Sequence, residues 1–144
     1  VNYGNVNMGG IDMSLSIFLS KNWNLDINYS FLSMSSFINP ITNVKDPINA
    51  PKNKGNLKLQ YTNHNGKFNT SLSLRYVEKF PWQSGVYFGT IGPYTIFDLH
   101  ARYQIVDKVA GLLTVSNIFN DSHIEIQGGP AIGRVLMFRL QAEL

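Results

Sequence analysis

From Ile11 to the end of the chain, apolar and polar residues repeatedly alternate at every second position, the period of an extended strand whose side chains point to opposite faces in turn. Ile11, Met13, Leu15, Ile17 and Leu19 share one face against Asp12, Ser14, Ser16 and Ser20, with Phe18 the exception. After a Lys21-Asn22 turn, Trp23, Leu25, Ile27, Tyr29 and Phe31 oppose Asn24, Asp26, Asn28 and Ser30. A third strand sets Leu57, Leu59 and Tyr61 against Lys58, Gln60 and Thr62, and a fourth sets Phe68, Leu72, Leu74 and Tyr76 against Asn69, Ser71, Ser73 and Arg75. Phe97, Leu99, Ala101 and Tyr103 against Asp98, His100, Arg102 and Gln104 form a fifth. A sixth, from Val109 to about Phe119, alternates less well because Leu112 and Leu113 adjoin. The seventh places Leu136, Phe138, Leu140, Ala142 and Leu144 opposite Met137, Arg139, Gln141 and Glu143.

The connections between these strands alternate in length. Lys21-Asn22, Asn63–Gly66 and Val106–Lys108 are short, whereas about Ser35–Asn56, Glu78–Pro93 and Asn120–Ile132 are long and rich in turn residues, with prolines at 40, 47 and 51 in the first. Short turns on one rim and long loops on the other are expected of an antiparallel up-and-down β-barrel crossing an outer membrane. Charge follows the same logic: Asp12, Asp26, Lys58, Arg75, Asp98, Arg102, Arg139 and Glu143 all keep to the polar parity, which predicts a polar lumen and a lipid-facing outer surface. Ten strand residues at about 3.3 Å each, tilted about 45°, span roughly 23 Å, close to the apolar band of such a barrel. Trp23, Tyr61, Phe68 and Tyr103 near the short turns, and Phe31, Tyr76, Tyr94 and Phe119 near the long loops, predict two interfacial aromatic girdles. Seven strands are fewer than the eight of the smallest bacterial barrels, so the expectation is a segment of a larger barrel.

Composition narrows the picture. The 144 residues include 15% charged and 12% aromatic residues, with a formal charge of +3 and no basic run, so nucleic acid is not an expected partner. No cysteine is present, which excludes a disulfide framework and thiolate metal sites. No stretch of about 18 apolar residues occurs, which argues against a spanning helix but not against spanning strands.

Several stretches carry a more specific pattern than the alternation: Ala50–Gly55, Arg75–Gly85, Tyr94–Asp98, the Asn-Ile-Phe-Asn within Val115–Asn120, and Gly128-Gly-Pro-Ala-Ile-Gly133. Together they resemble the C-terminal end of the barrel in TonB-dependent outer-membrane receptors. The one departure is Leu144, where that family usually ends in an aromatic. The resemblance covers nearly the whole of residues 1–144. It implies the last seven strands of a barrel of about 22, with the earlier strands, the plug domain and a TonB-contacting N-terminal region lying elsewhere. It also implies an integral outer-membrane location with long loops extracellular, import of an iron chelate, cobalamin, a glycan or a similar nutrient with TonB-supplied energy, and a surface lipoprotein as a further partner. Two other readings of the alternation are a passive porin-like barrel and a soluble β-sandwich that binds glycans or acts in adhesion. A sandwich requires a second sheet against the apolar face.

No catalytic constellation or cofactor motif emerges. Asp98, His100 and Arg102 share a face at about 6–7 Å spacing, as a polar lumen ladder would. His123 and Glu125 are too few for a metal site. Neither Gly128–Gly133 nor the Gly4–Gly10 stretch has the order of a phosphate-binding loop. Because binding concentrates on loops held by a rigid scaffold, the candidate ligand-contacting residues are Trp82, Tyr87, Phe88 and His123.

Overall fold

A computed structural model describes residues 6–143; Leu144 and Gly4, both considered above, lie outside the described residues. The chain forms β1 (Gly10–Phe18), β2 (Trp23–Leu32), β3 (Ser36–Ile38), β4 (Lys45–Pro47), β5 (Asn53–Thr62), β6 (Phe68–Val77), β7 (Phe80–Ser84), β8 (Tyr87–Ile91), β9 (Tyr94–Val106), β10 (Val109–Ser116) and β11 (Val135–Ala142). Seven of these make one antiparallel sheet in the order β1-β2-β5-β6-β9-β10-β11, an up-and-down meander. The other four form two separate two-stranded hairpins, β3-β4 and β7-β8.

The register carries the alternation across the sheet without a slip of face. Leu15 sits opposite Ile27, Ile27 opposite Leu57, Leu57 opposite Leu74 and Leu74 opposite Phe97. One residue along, Ser16, Asp26, Lys58, Ser73 and Asp98 form the matching polar row. The adjacent leucines of β10 are resolved by the same parity: Leu112 lies opposite Arg102 and Arg139 on the polar face, and Leu113 opposite Ala101 and Phe138 on the apolar one. A register irregularity at Val109/Ala110 precedes them.

Among the described residues no second sheet covers the apolar face, and Met13, Leu57, Leu72, Leu136, Phe138 and Leu140 are exposed there. That excludes the sandwich expectation and leaves the arrangement that a membrane would complete. Aromatics hold the short-turn rim, where Trp23 packs on Tyr61 at 4.8 Å and Tyr61 on Phe68 at 6.4 Å between ring centroids. On the long-loop side, Phe97 and Phe119 meet edge to face at 5.1 Å. Tyr94 departs from the girdle expectation. It pairs with Val77, which pairs with Lys54, so it belongs to the polar parity.

Several strand boundaries differ from the sequence expectation, and β1 ends at Phe18, short of Leu19 and Ser20. β5 begins at Asn53 rather than Leu57, because Gly55 carries no side chain to show the alternation; the Tyr29 ring lies 3.8 Å from where its Cβ would stand. β9 runs from Tyr94 to Val106, longer at both ends than Phe97–Gln104. β10 stops at Ser116, since Asn117 turns the chain at φ 55. The prolines of the loop hairpins, Pro47 and Pro81, sit in two-stranded ribbons, where a missing N–H can face a free edge.

Candidate functional site

The long loops, L1 (33–52), L2 (78–93) and L3 (117–134), all lie at the same end of the meander, and each is internally built. In L1 the buried Asn39 side chain accepts from the Ile41 N–H at 3.0 Å and donates to Asp46 at 2.9 Å, closing the β3-β4 hairpin. In L2 the β7-β8 hairpin turns through Gly85-Val86, with Gly85 at φ 58, the conformation a type II′ turn demands at its first central position. L3 is closed at its base by the Asn-Ile-Phe-Asn motif. Asn117 and Asn120 both take φ 55, a left-handed conformation that asparagine tolerates well. The Asn117 N–H donates to Asp98 Oδ1 at 2.9 Å, and its side chain brackets the Asp121 backbone at 2.8 and 2.9 Å. Asn120 Oδ1 accepts from the Arg134 N–H at 2.8 Å, where the chain enters β11.

The loops are also knit to one another. Asn49 of L1 accepts from the Gln83 N–H and donates to the Gln83 carbonyl, both at 2.8 Å, which caps the β7 edge of the L2 hairpin. On the β8 edge, Gln127 of L3 donates to the Thr90 carbonyl at 2.8 Å. Gly89 makes room for that contact, since a Cβ there would stand 2.9 Å from Gln127 Nε2. Gly128, at φ 81, lies under the Tyr87 ring, 2.6 Å from where its Cβ would be. Beneath these edges lies a small apolar core of Val77, Phe80 and Ile91, with Trp82, Tyr94 and Ile124 packed against it.

Polar groups flank that core. Arg75 on β6 pairs with Glu125 at 3.2 Å, and Glu125 meets His123 Nε2 at 3.3 Å. The His123 ring stacks on Tyr94 with centroids 4.6 Å apart, and the Arg75 guanidinium lies 5.8 Å over the Tyr94 ring. Among the described residues no third histidine, cysteine or carboxylate joins His123 and Glu125 to make a metal-binding group. L3 is therefore held to the polar face of the sheet by an ion pair, a stacked ring and the Asn117–Asp98 bond.

The four candidate residues fall into two environments. Tyr87 and Phe88 stand near the tip of the L2 hairpin, and Phe88 is 80% exposed. Trp82 is half-buried against the apolar core, and the His123 side chain is enclosed by Tyr94 and Glu125. Tyr94, Arg75, Gln127 and Asn49 were not among the candidates, although they assemble the loops. Sequence alternation assigns each only to a strand or a loop; what they do depends on which loops meet.

Residues 1–120 match the family described as TonB dependent receptor-like, beta-barrel. No curated protein matched the sequence. Among solved structures, the pyoverdine outer-membrane receptor FpvA from Pseudomonas aeruginosa PAO1 is 21% identical with a TM-score of 0.71, over 95% of this chain and 21% of that one. The siderophore receptor PiuA from Acinetobacter baumannii is 17% identical with a TM-score of 0.72, over 94% and 21%. The copper transporter OprC is 16% identical with a TM-score of 0.74, over 94% and 23%. The chain thus spans about a fifth of the length of the structures it resembles, and at these identities the likeness is one of fold.

Proposed function

The chain belongs to the TonB-dependent receptor β-barrel family, and on that premise we propose that it forms the closing strands of an outer-membrane receptor that binds an external nutrient and imports it with energy passed through TonB. In this reading the apolar face meets lipid, the polar face lines the lumen, the long loops are extracellular and the short turns periplasmic. Residues 1–144 make up the C-terminal part of a barrel of about 22 strands. The earlier strands, the plug domain and the TonB-contacting region complete the receptor, and a surface lipoprotein is a further partner.

The observation that carries the reading is the combination of a two-faced sheet with a loop rim that is built before any ligand arrives. A receptor benefits from such a rim, because a preformed surface avoids the ordering cost of binding. Within it, Tyr87 and Phe88 are the side chains that meet ligand, while Trp82 and His123 act by holding the L2 and L3 surfaces in place. Family membership favours this over a passive pore.

The test is growth of a strain carrying the complete gene, with and without functional TonB, on a panel of limiting nutrients. Ferric chelates and copper come first, since the relatives named above are siderophore receptors and a copper transporter; cobalamin and glycans follow. The expected result is a gene-dependent growth advantage on one nutrient that disappears without TonB. An advantage that persists without TonB would identify a passive pore instead.

A further inference from the structure

We propose that L3 is a proton-sensitive clasp, which docks on the polar face of the sheet more tightly when His123 is protonated than when it is neutral. The device goes beyond the receptor reading, because it depends on the contacts of L3 and on nothing that the barrel transports. The His123 side chain is only 7% exposed, and both of its ring nitrogens face oxygen. Nδ1 lies 3.1 Å from the Asp121 carbonyl, and Nε2 lies 3.3 Å from Glu125 Oε1. A carbonyl and a carboxylate only accept. A neutral imidazole has one N–H, so it satisfies one of these oxygens and turns a lone pair toward the other, whereas an imidazolium donates to both. The stack on Tyr94, with centroids 4.6 Å apart, holds the ring in place against that mismatch.

The groups around the ring come from three elements. L3 itself supplies the Glu125 carboxylate and, through its carbonyl, the exposed Asp121. β6 supplies Arg75, whose guanidinium lies 3.2 Å from the same Glu125 oxygen. β9 supplies Tyr94, whose ring meets His123 and also lies under the Arg75 guanidinium at 5.8 Å. Arg75 opposes a charged His123 ring, but both approach Glu125 Oε1, so its negative charge is shared between them. An aromatic face attracts a cation, so Tyr94 favours the charged ring. Two further charged residues are directed elsewhere: Asp98 accepts from the Asn117 N–H at 2.9 Å, and Arg134 donates to the Ile118 carbonyl at 3.4 Å. L2 meets the neighbouring Ile124 through the apolar core that contains Phe80 and Ile91.

His123 is also where L3 folds back on itself. Its backbone N–H donates to the Ile132 carbonyl at 3.3 Å, and its carbonyl accepts from the Ile132 N–H at 2.7 Å. One residue therefore joins the closure of the loop, made by its backbone, to the docking of the loop on β6 and β9, made by its side chain. A donor lost from the ring loosens both. Because imidazole changes charge between about pH 5 and 8, acid tightens the clasp and a rise in pH loosens it. On the receptor reading L3 lies at the external mouth of the lumen, and that mouth then widens as the pH rises.

The experiment uses the complete barrel protein folded in nanodiscs, with amide hydrogen exchange measured by mass spectrometry at about pH 6 and about pH 8, on either side of the middle of that range. Exchange is expressed as protection factors, which divide out the intrinsic pH dependence of amide chemistry. Protection across residues 117–134 should be about 2- to 10-fold greater at the lower pH, the scale of one hydrogen bond, while β2 and β5 should not change. His123→Gln, neutral at both pH values, should show L3 protection that does not depend on pH. Glu125→Gln keeps the imidazole but removes the charged acceptor, so the gain on acidification should shrink; it decides the matter where His123→Gln leaves L3 undocked at both pH values. His64→Gln and His100→Gln, which remove the other two histidines of residues 1–144, should keep the full gain. Equal L3 protection at both pH values in the unaltered protein, an undiminished gain in His123→Gln or Glu125→Gln, or loss of the gain in His64→Gln or His100→Gln overturns the proposal. The growth test above stands apart from this one, since L3 protection is read without a nutrient or TonB.

Discussion

The strongest test of the two-faced sheet compares arginines at neighbouring positions on one strand. Ile27 lies at the centre of β2, flanked by Leu15 and Leu57 on the apolar face. Asn28 is one residue on, at nearly the same depth, flanked by Ser14 and Asn56 on the polar face. An arginine facing lipid at the bilayer midplane costs about 2–4 kcal/mol, so Ile27→Arg should lower the folding equilibrium constant of the complete receptor by about 30- to 700-fold at 1.4 kcal/mol per decade. Asn28→Arg loses only the bond that Asn28 Oδ1 accepts from Ser14 at 2.8 Å, about 0.5–1 kcal/mol or a few-fold, because the new charge remains in water. A third variant fixes depth: Trp23→Arg, at the short-turn rim of the same face, should cost about 0–1 kcal/mol in electrostatics, as charges near the interface do. The assay is urea-dependent refolding into phospholipid vesicles, scored by the shift between folded and unfolded bands on unheated gels. Equal destabilisation by Ile27→Arg and Asn28→Arg would refute the assignment of lipid and lumen faces.

Other consequences concern the loop rim and the one girdle residue that changed sides. Gly128→Ala should undock L2 from L3, since it combines a strained φ of 81 with a clash against the Tyr87 ring, at about 1–2 kcal/mol for the backbone alone; faster proteolysis at the 85–88 tip is the readout, and an unchanged cleavage rate would count against the docking. Phe80→Ala should cost about 3–5 kcal/mol of local stability, whereas Arg75→Met should cost about 0.2–1 kcal/mol, because its ion pair with Glu125 is 44% and 32% exposed. Hydrogen exchange of the L2 and L3 amides ranks the two, and the reverse order would mean that the ion pair and not the apolar core holds the rim. Finally, a fluorophore attached to Tyr76→Cys should be quenched by lipid-borne quenchers while one attached to Tyr94→Cys should not. Identical behaviour of the two would place Tyr94 back in the girdle.

What the sequence made legible was set by period two. Wherever one face is apolar and the other polar, the alternation fixes face, register and turn rim together, so the seven main strands and the charge parity follow from it. It fails where a side chain is missing or neutral, as at Gly55 and Asn53, which hid the first four residues of β5. It is silent on loops, whose hairpins are closed by Asn39, Asn49 and Gln127 through side chain to backbone bonds that leave no periodic trace. The Asn-Ile-Phe-Asn motif was recognisable as a pattern, but its physical role, two left-handed asparagines fastening L3 to Asp98 and Arg134, required the fold.

The exceptions to the alternation turn out to be where the interior is. Among the described residues the buried hydrophobic ones are Val77, Phe80, Ile91, Ile96 and Ala110, and none of these lies on the apolar face of the main sheet. Val77, Ile96 and Ala110 occupy the polar parity, while Phe80 and Ile91 belong to the L2 hairpin. Apolar side chains at positions where alternation calls for polar ones are therefore not noise; Val77 marks where L2 and L3 dock against the lumen side of the sheet, beside Tyr94. The same logic explains the division of labour in this chain. On the proposed reading its sheet draws stability from surroundings that lie outside it, from lipid on one face and neighbouring strands at the edges, whereas the packed apolar cluster among the described residues organises the loop rim. The packing that a soluble domain would concentrate in a central core is placed here under the loop rim, so on the proposed receptor reading substitutions in that cluster should alter ligand recognition before they alter insertion into the membrane.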